Sequence, residues 1–187
     1  KMKNTLGGKG ANLAEMNHLG IPVPPGFTIT TEVCSYYYDN DKKLPDSLDS
    51  QLKDALLQTE NIMGSEFGDA NNPLLVSIRS GARQSMPGMM ETVLNVGLTS
   101  KTIPGLIEKT GNDRFVYDAY RRLIMMYADV VMEKAAGLEP ESGVGIRHKL
   151  ESLIENHKSK NQYVSDTDLS GEDWKELSEV FKDEIRS

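Results

Sequence analysis

The chain has 187 residues and a formal net charge of −7, so a broad basic surface for nucleic acid is excluded. Apolar residues make up 38% and charged residues 26% of the sequence, which is typical of a globular protein and argues against global disorder. No apolar run reaches the roughly 18 residues that a membrane span needs. The single cysteine, Cys34, excludes an internal disulfide and favours a reducing compartment.

Helical patterns alternate with turn residues in the first part of the chain. Leu13 and Met16 share one helical face, and Gly20 suits the end of that helix because helices often close on a left-handed glycine. The pattern predicts, in chain order, a helix that follows Gly10, an extended approach to a strand over 21–31, a helix capped by Thr31, and a helix from Asp46 or Ser47 to about Gly64.

Two strands and then only helices are predicted beyond Gly64. The run NNPLLVSI is short, apolar and bounded by turn signals, which is typical of a buried strand, and Arg79 follows it. A second strand is predicted around Val93. Apolar stripes then predict amphipathic helices near 113–137, 146–157 and 170–185, the last beginning at a capping box of Ser170 and Asp173.

The segment LGGKGANL is the first candidate for chemistry. Its glycines allow backbone N–H groups to approach an anion, the following helix offers its positive N-terminus, and Lys9 adds a mobile charge. These features indicate a phosphate site, although Gly10 stands where a P-loop has Ser or Thr. A glycine turn with a solvated lysine explains the same residues equally well.

The segment SIRSGARQSMPGMMETVLNVGL, residues 77–98, is the second candidate. An arginine at the end of a strand can present its planar fork to a phosphate, which favours Arg79, and Arg83 lies four residues later. Small residues such as Ser85 and Gly88 would let this loop close over a nucleotide tail. The alternative is a surface turn whose arginines pair with carboxylates, and composition alone favours that alternative.

Taken together, GGKGANLAEM, PVPPGFTITTE and SIRSGARQSMPGMMETVLNVGL resemble, in this order and separation, the amino-terminal nucleotide-binding region of the pyruvate, phosphate dikinases. The likeness runs from about Lys3 to Leu98, and FVYDAYRRLIMMYADVVM continues it into the helical part. The start at Lys1 and the end directly after a helical pattern lead us to expect a fragment of a longer chain.

The resemblance implies an α+β fold in which residues 1–98 form one lobe of a partial, ATP-grasp-like nucleotide-binding domain with a few short strands. Residues 99–187 would form an α-helical subdomain. In this family the lysine of the GGKG turn and the arginine of RSGAR contact ATP phosphates, and the loop through SMPG helps to cover them. The positions carried onto this chain are Lys9, Arg79 and Gly88, with Arg83 and Ser85 as further candidates.

The family reaction converts ATP, phosphate and pyruvate to AMP, pyrophosphate and phosphoenolpyruvate through a phosphohistidine. The resemblance therefore implies a kinase-type transferase with Mg²⁺ as cofactor. The magnesium ligands, the phosphohistidine domain, the second ATP-grasp lobe and the contacts of a homodimer are expected outside this chain. We expect no catalytic residue and no metal ligand within it, and a cytoplasmic location, with plastid and glycosome as the other compartments.

Two alternatives stay open from the sequence. The first is a relative in the same enzyme class, either a phosphoenolpyruvate synthase, which shares the general style of the strand-end arginine, or a glucan dikinase. The second is a non-catalytic helical interaction module that has kept the appearance of a nucleotide-binding domain.

Overall fold

A computed structural model describes residues 2–81, 92–138, 140 and 143–186. The described elements are seven α-helices, two strands, one π-helical segment and one 3-10 turn: α1 (Met2–His18), α2 (Thr31–Asp39), α3 (Leu48–Met63), β1 (Val76–Arg79), β2 (Thr92–Val96), α4 (Ile103–Thr110), α5 (Asp113–Tyr127), a π-helix (Ala128–Lys134), α6 (Ile146–Asn161), a 3-10 turn (Asp166–Asp168) and α7 (Gly171–Arg186). The protein is therefore mostly helical, with one antiparallel sheet of two strands in the described residues. Within those residues, no helix combines the length and apolarity that membrane crossing requires.

The described residues divide into two compact units. Unit 1 comprises residues 2–67 together with 79–81, and unit 2 comprises residues 68–78 and everything described from Thr92 onward. Both units are discontinuous in sequence because the chain leaves unit 1, enters unit 2 and returns to unit 1 at Arg79. The contiguous division at residue 98 that the sequence suggests stays a prediction.

Unit 2 contains two buried apolar clusters on either side of α5. One cluster joins α5 to α6 and α7, and it consists of Met125, Ala128, Leu150, Ile154, Leu169, Trp174, Leu177 and Phe181. The other joins α5 to β2 and α4, and it consists of Val93, Leu98, Ile103, Leu106, Val116, Ala119 and Leu123. The apolar stripe of α5 is wide enough to serve both clusters, and this burial is the main stabilising contribution in unit 2.

Close backbone packing fixes the amino end of α4 in unit 2. A Cβ on Gly105 would collide with the carbonyl oxygen of Ala70, so only glycine fits there. The buried hydroxyl of Thr102 donates to the carbonyl of Gly97 at 2.9 Å and orders the turn before the helix.

Unit 1 consists of α1, α2 and α3 with their connecting segments. None of the buried apolar side chains in the described part of the chain lies in residues 2–67. Large apolar side chains of this unit, including Tyr38, Leu44 and Ile62, are more than half exposed. The described residues of unit 1 therefore contain no cluster of fully buried apolar side chains.

Several elements agree with the sequence patterns. Helix α3 follows Ser47 and ends at the left-handed Gly64, β2 includes Val93, and the amide of Asp173 donates to Ser170 Oγ while its carboxylate accepts from the Ser170 amide. These agreements share a cause, because caps and apolar periodicity act within one element.

Other expectations were wrong. No strand forms over 21–31, and α1 begins at Met2 rather than after Gly10. Strand β1 is mostly exposed rather than buried, with Ile78 57% exposed, because the described sheet has only two strands and leaves its faces uncovered.

A polar network joins α6 to the start of α7. His157 Nε2 lies 2.8 Å from Asp173 Oδ1, Ser170 Oγ donates to Asp173 Oδ2 at 2.6 Å, and Tyr163 approaches the same oxygen at 3.5 Å. Burial alone would raise the pKa of Asp173, but the hydrogen bonds from Ser170 and His157 hold that pKa below its ordinary value of 3.8. The charged carboxylate is thus the form that stabilises unit 2.

We expect Asp173→Asn to reduce the free energy of unfolding of unit 2 by about 1 kcal/mol at pH 7, since the variant loses a charged capping group. A carboxyl group with a depressed pKa stabilises the fold above its unfolded pKa, and this contribution disappears as pH falls through the folded pKa. The stability difference between pH 7 and pH 3, measured by urea unfolding, should therefore shrink in Asp173→Asn. Asp183→Asn, which removes an exposed carboxylate of the same helix, is the control. An equal reduction in the control would contradict this role.

Candidate functional site

Lys9 lies in α1, just beyond a break in that helix. Gly7 has φ 70° and ψ 175°, so α1 consists of two helical segments that meet at this residue. Lys9 belongs to the first turn of the second segment and is half-buried. A cation there lies close to backbone N–H groups that have no partner within the helix, and both features suit an anion.

Arg79 is the last residue of β1, and its side chain is exposed. It begins the portion of chain that returns to unit 1, where Ser80 and Gly81 follow. The predicted strand-end location is thus present, although the strand that carries it is not buried.

The segments of Lys9 and Arg79 approach each other within unit 1. A Cβ built on Gly7 would lie 3.3 Å from the carbonyl oxygen of Gly81 and 3.4 Å from its carbonyl carbon. Lys9 is two residues after Gly7, and Arg79 is two residues before Gly81. Since consecutive Cα atoms are 3.8 Å apart, each basic residue has its Cα within about 7.6 Å of the glycine in its own segment.

The charges of Lys9 and Arg79 are not neutralised inside the described part of the chain, where neither residue forms an ion pair. The other described arginines donate to a carboxylate or a carbonyl: Arg114, Arg121, Arg122, Arg147 and Arg186. The alternative of a surface turn with paired arginines therefore does not describe Arg79. Two unpaired cations in neighbouring segments of an acidic protein leave charge available for an external anion.

The remaining predicted positions, Arg83, Ser85 and Gly88, lie outside the described residues. Their assignment to the phosphate site stays a prediction.

An open cleft of about 450 Å³ lies in unit 2. The sequence patterns did not predict this cleft. Its lining includes Arg121, Arg122 and Arg147 together with the acidic residues Glu151, Glu155 and Asp166. Arg121 contacts Asp118 at 2.8 Å and Asp166 at 3.3 Å, Arg122 contacts Asp118 at 2.9 Å, and Arg147 contacts Glu151 at 3.1 Å. The arginines of this cleft are thus already paired, unlike Arg79.

A magnesium ion would need several oxygen ligands that converge. Among the residues that the structure describes, no three His, Cys, Asp or Glu side chains are placed to hold a metal ion. The expectation that the magnesium ligands lie outside this chain stays a prediction.

Comparison with known proteins identifies relatives along nearly the whole chain. Residues 3–55, which include Lys9, match the family model described as "Pyruvate phosphate dikinase, AMP/ATP-binding domain". The chain is 50% identical over 181 residues to the pyruvate, phosphate dikinase of Clostridium symbiosum. This alignment covers 97% of this chain and 20% of that protein.

Bacterial and plant relatives give the same result. Identity is 44% over 184 residues to the pyruvate, phosphate dikinase of Rhizobium meliloti (strain 1021), covering 98% of this chain and 19% of the relative. Identity is 47% over 182 residues to the chloroplastic pyruvate, phosphate dikinase 1 of Arabidopsis thaliana, and this alignment covers 97% of this chain and 18% of the relative. The chain thus spans about a fifth of the length of these curated relatives. By homology over nearly its whole length, the chain belongs to the pyruvate, phosphate dikinase family.

Proposed function

We propose that this chain supplies part of the ATP site of a pyruvate, phosphate dikinase, with Lys9 and Arg79 binding the triphosphate. The observation that carries the proposal is the approach of Gly7 to Gly81, since it brings two unpaired basic segments together within unit 1. The family model over residues 3–55 supports a nucleotide as the ligand. The relatives are named as pyruvate, phosphate dikinases, which favours this function over a phosphoenolpyruvate synthase, a glucan dikinase or an interaction module.

In this proposal the chain contributes electrostatics and positioning rather than a covalent step. Phosphoryl transfer depends on aligning the phosphate chain and neutralising the charge that develops on its oxygens. The ammonium of Lys9 acts as a mobile point charge, whereas the guanidinium of Arg79 can donate two parallel hydrogen bonds to one phosphate. Arg83, Ser85 and Gly88 would complete the cover over the phosphates.

The other components of the reaction would come from a longer chain. We propose an ATP-grasp-like arrangement in which a second lobe and its magnesium ligands close over the nucleotide, and a phosphohistidine domain carries the phosphoryl group to pyruvate. Mg²⁺ would then arrive with ATP, because this ion is usually bound by one or two carboxylates together with substrate phosphates. A homodimer in the cytoplasm, or in a plastid as for the chloroplastic relatives, completes the proposal.

Titration of the isotopically labelled chain with ATP, AMP and tripolyphosphate tests this function by NMR. We expect ATP and tripolyphosphate to shift the signals of Lys9 and Arg79 saturably, and AMP to shift them less, because AMP lacks the β- and γ-phosphates. A non-catalytic interaction module would show no such response. Unchanged spectra at millimolar ATP, or shifts confined to unit 2, would refute the proposed site.

A further inference from the structure

The break in α1 has a backbone conformation that is available almost only to glycine. With φ 70° and ψ 175°, Gly7 lies in a region where a side chain collides with the backbone. Gly7 is also the one residue of α1 that is buried within the described structure. A residue in such a conformation persists only where its surroundings hold it.

Contacts on both sides of Gly7 hold this conformation in place. Before the break, the hydroxyl of Thr31 at the start of α2 donates to the carbonyl of Asn4 at 2.6 Å. After the break, Gly10 packs so closely on Thr28 that a Cβ would lie 3.1 Å from both its Oγ1 and its Cγ2. The two helical segments are thus anchored separately, one by Thr31 and the other by Thr28.

The contact between Gly7 and Gly81 is asymmetric. A Cβ on Gly7 would be directed at the backbone of Gly81, which a small side-chain rotation cannot move aside. Among the described residues, a Cβ on Gly81 would meet nothing within 4 Å, and Gly81 does not have a left-handed φ. Only one of these two glycines is therefore required by the geometry.

We propose that Gly7 is a positioning residue that holds the segment of Lys9 against the segment of Arg79, so that both cations reach one polyphosphate. The inference rests on the proposed function for its ligand, but the backbone contact itself is independent of that function. Glycine at this position would then serve close protein packing rather than direct approach of its N–H to the phosphate.

Gly7→Ala is the variant that tests this role, with Gly20→Ala as the matched control. Gly20 lies just past the same helix with φ 74° and nothing near its Cβ, so its variant introduces left-handed strain without the contact. In Gly7→Ala we expect the free chain to leave this conformation, so that ATP and tripolyphosphate bind about tenfold more weakly because binding must restore it against the strain of a non-glycine residue. AMP affinity should change less than twofold, and Gly20→Ala should stay within twofold for all three ligands.

The geometry has its own readout, an NMR cross-peak between the Hα protons of Gly7 and the backbone of Gly81. This cross-peak needs no substitution, so its absence from the unmodified protein would overturn the inference even if Gly7→Ala did not fold. It should disappear in Gly7→Ala and persist in Gly20→Ala, while the signals of α3 and unit 2 stay in place. Loss of the α3 signals as well, or equal weakening of ATP and AMP, would mean that Gly7 acts on folding instead. If the cross-peak behaves as expected but ATP causes no shift in any form, the positioning contact stands and the proposed function fails.

Discussion

Replacing Arg79 by alanine is expected to weaken ATP binding about 10- to 150-fold, because hydrogen bonds to charged groups contribute about 1.5–3 kcal/mol each. Arg79 is exposed and has no ion pair in the described structure, so its removal leaves no buried carboxylate without a partner. The loss should therefore concern the ligand and not the fold. Titration of ATP and AMP into both proteins measures the effect, and AMP should be affected less.

Arg186→Ala is the matched control, since it removes the same charge from an exposed position that pairs only with Asp183. A double variant sharpens the assignment: if Lys9 and Arg79 bind one triphosphate, their combined loss should differ from the sum of the single losses. Simple additivity, or equal losses in Arg79→Ala and Arg186→Ala, would contradict a shared phosphate site.

The longer dikinase of the proposal offers a second readout for Arg79→Ala. The half-reaction with ATP should slow, whereas phosphorylation of pyruvate from an already phosphorylated enzyme should stay unchanged, because the guanidinium contacts only the nucleotide. An equal loss in both half-reactions would refute the assignment.

Replacing Trp174 by alanine is expected to reduce the free energy of unfolding of unit 2 by about 3–5 kcal/mol, the range for removing a large buried aromatic side chain. Trp174 is completely buried in the cluster between α5, α6 and α7. Its ring also stacks on the guanidinium of Arg121, whose Cζ lies 4.3 Å from the ring centroid. The variant would leave a cavity next to a largely buried charge, and both effects are destabilising. Urea unfolding measures the loss. It is followed by circular dichroism because Trp174 is the single tryptophan, so the variant has no tryptophan fluorescence that could report unfolding.

Two comparison variants separate the contributions at Trp174. Val180→Ala trims a partly exposed side chain of the same helix and should cost less than about 1 kcal/mol. Trp174→Phe keeps an aromatic ring, and it loses no hydrogen bond because the indole Nε1 has no partner in the described structure. We expect an intermediate loss for Trp174→Phe. A loss in Trp174→Ala no larger than in Val180→Ala would mean that this cluster does not stabilise unit 2.

The helices of unit 2 were predictable because their signals are local. The apolar stripe around Val116 and Leu123 has a helical period, and Ser170 with Asp173 forms a cap within one turn. The exposure of β1 was not predictable in the same way. An apolar run such as NNPLLVSI predicts a strand but not the number of neighbouring elements that pack on that strand. That number depends on the rest of the fold.

The candidate site shows the same limit of prediction from local sequence patterns. The linear motifs predict Lys9 and Arg79 as phosphate-binding residues, and they attribute the glycines of LGGKG to the approach of a ligand. The structure instead packs Gly7 on Gly81 and Gly10 on Thr28. No local pattern distinguishes a glycine needed for a ligand from one needed for a neighbouring backbone, because both require only the absence of Cβ.

The sequence by itself determined helices α3, α5, α6 and α7, the cap formed by Ser170 and Asp173, and the family, since periodicity, capping and ordered motifs are all read along the chain. Only the tertiary structure decided that the break at Gly7 meets Gly81, that Arg79 has no ion pair among the described residues while Arg121 and Arg122 are paired, and that no apolar side chain in the described part of unit 1 is fully buried. The physical reason is that local interactions select the conformation of each segment. Contacts between residues far apart in sequence are selected by the packing of all the segments together.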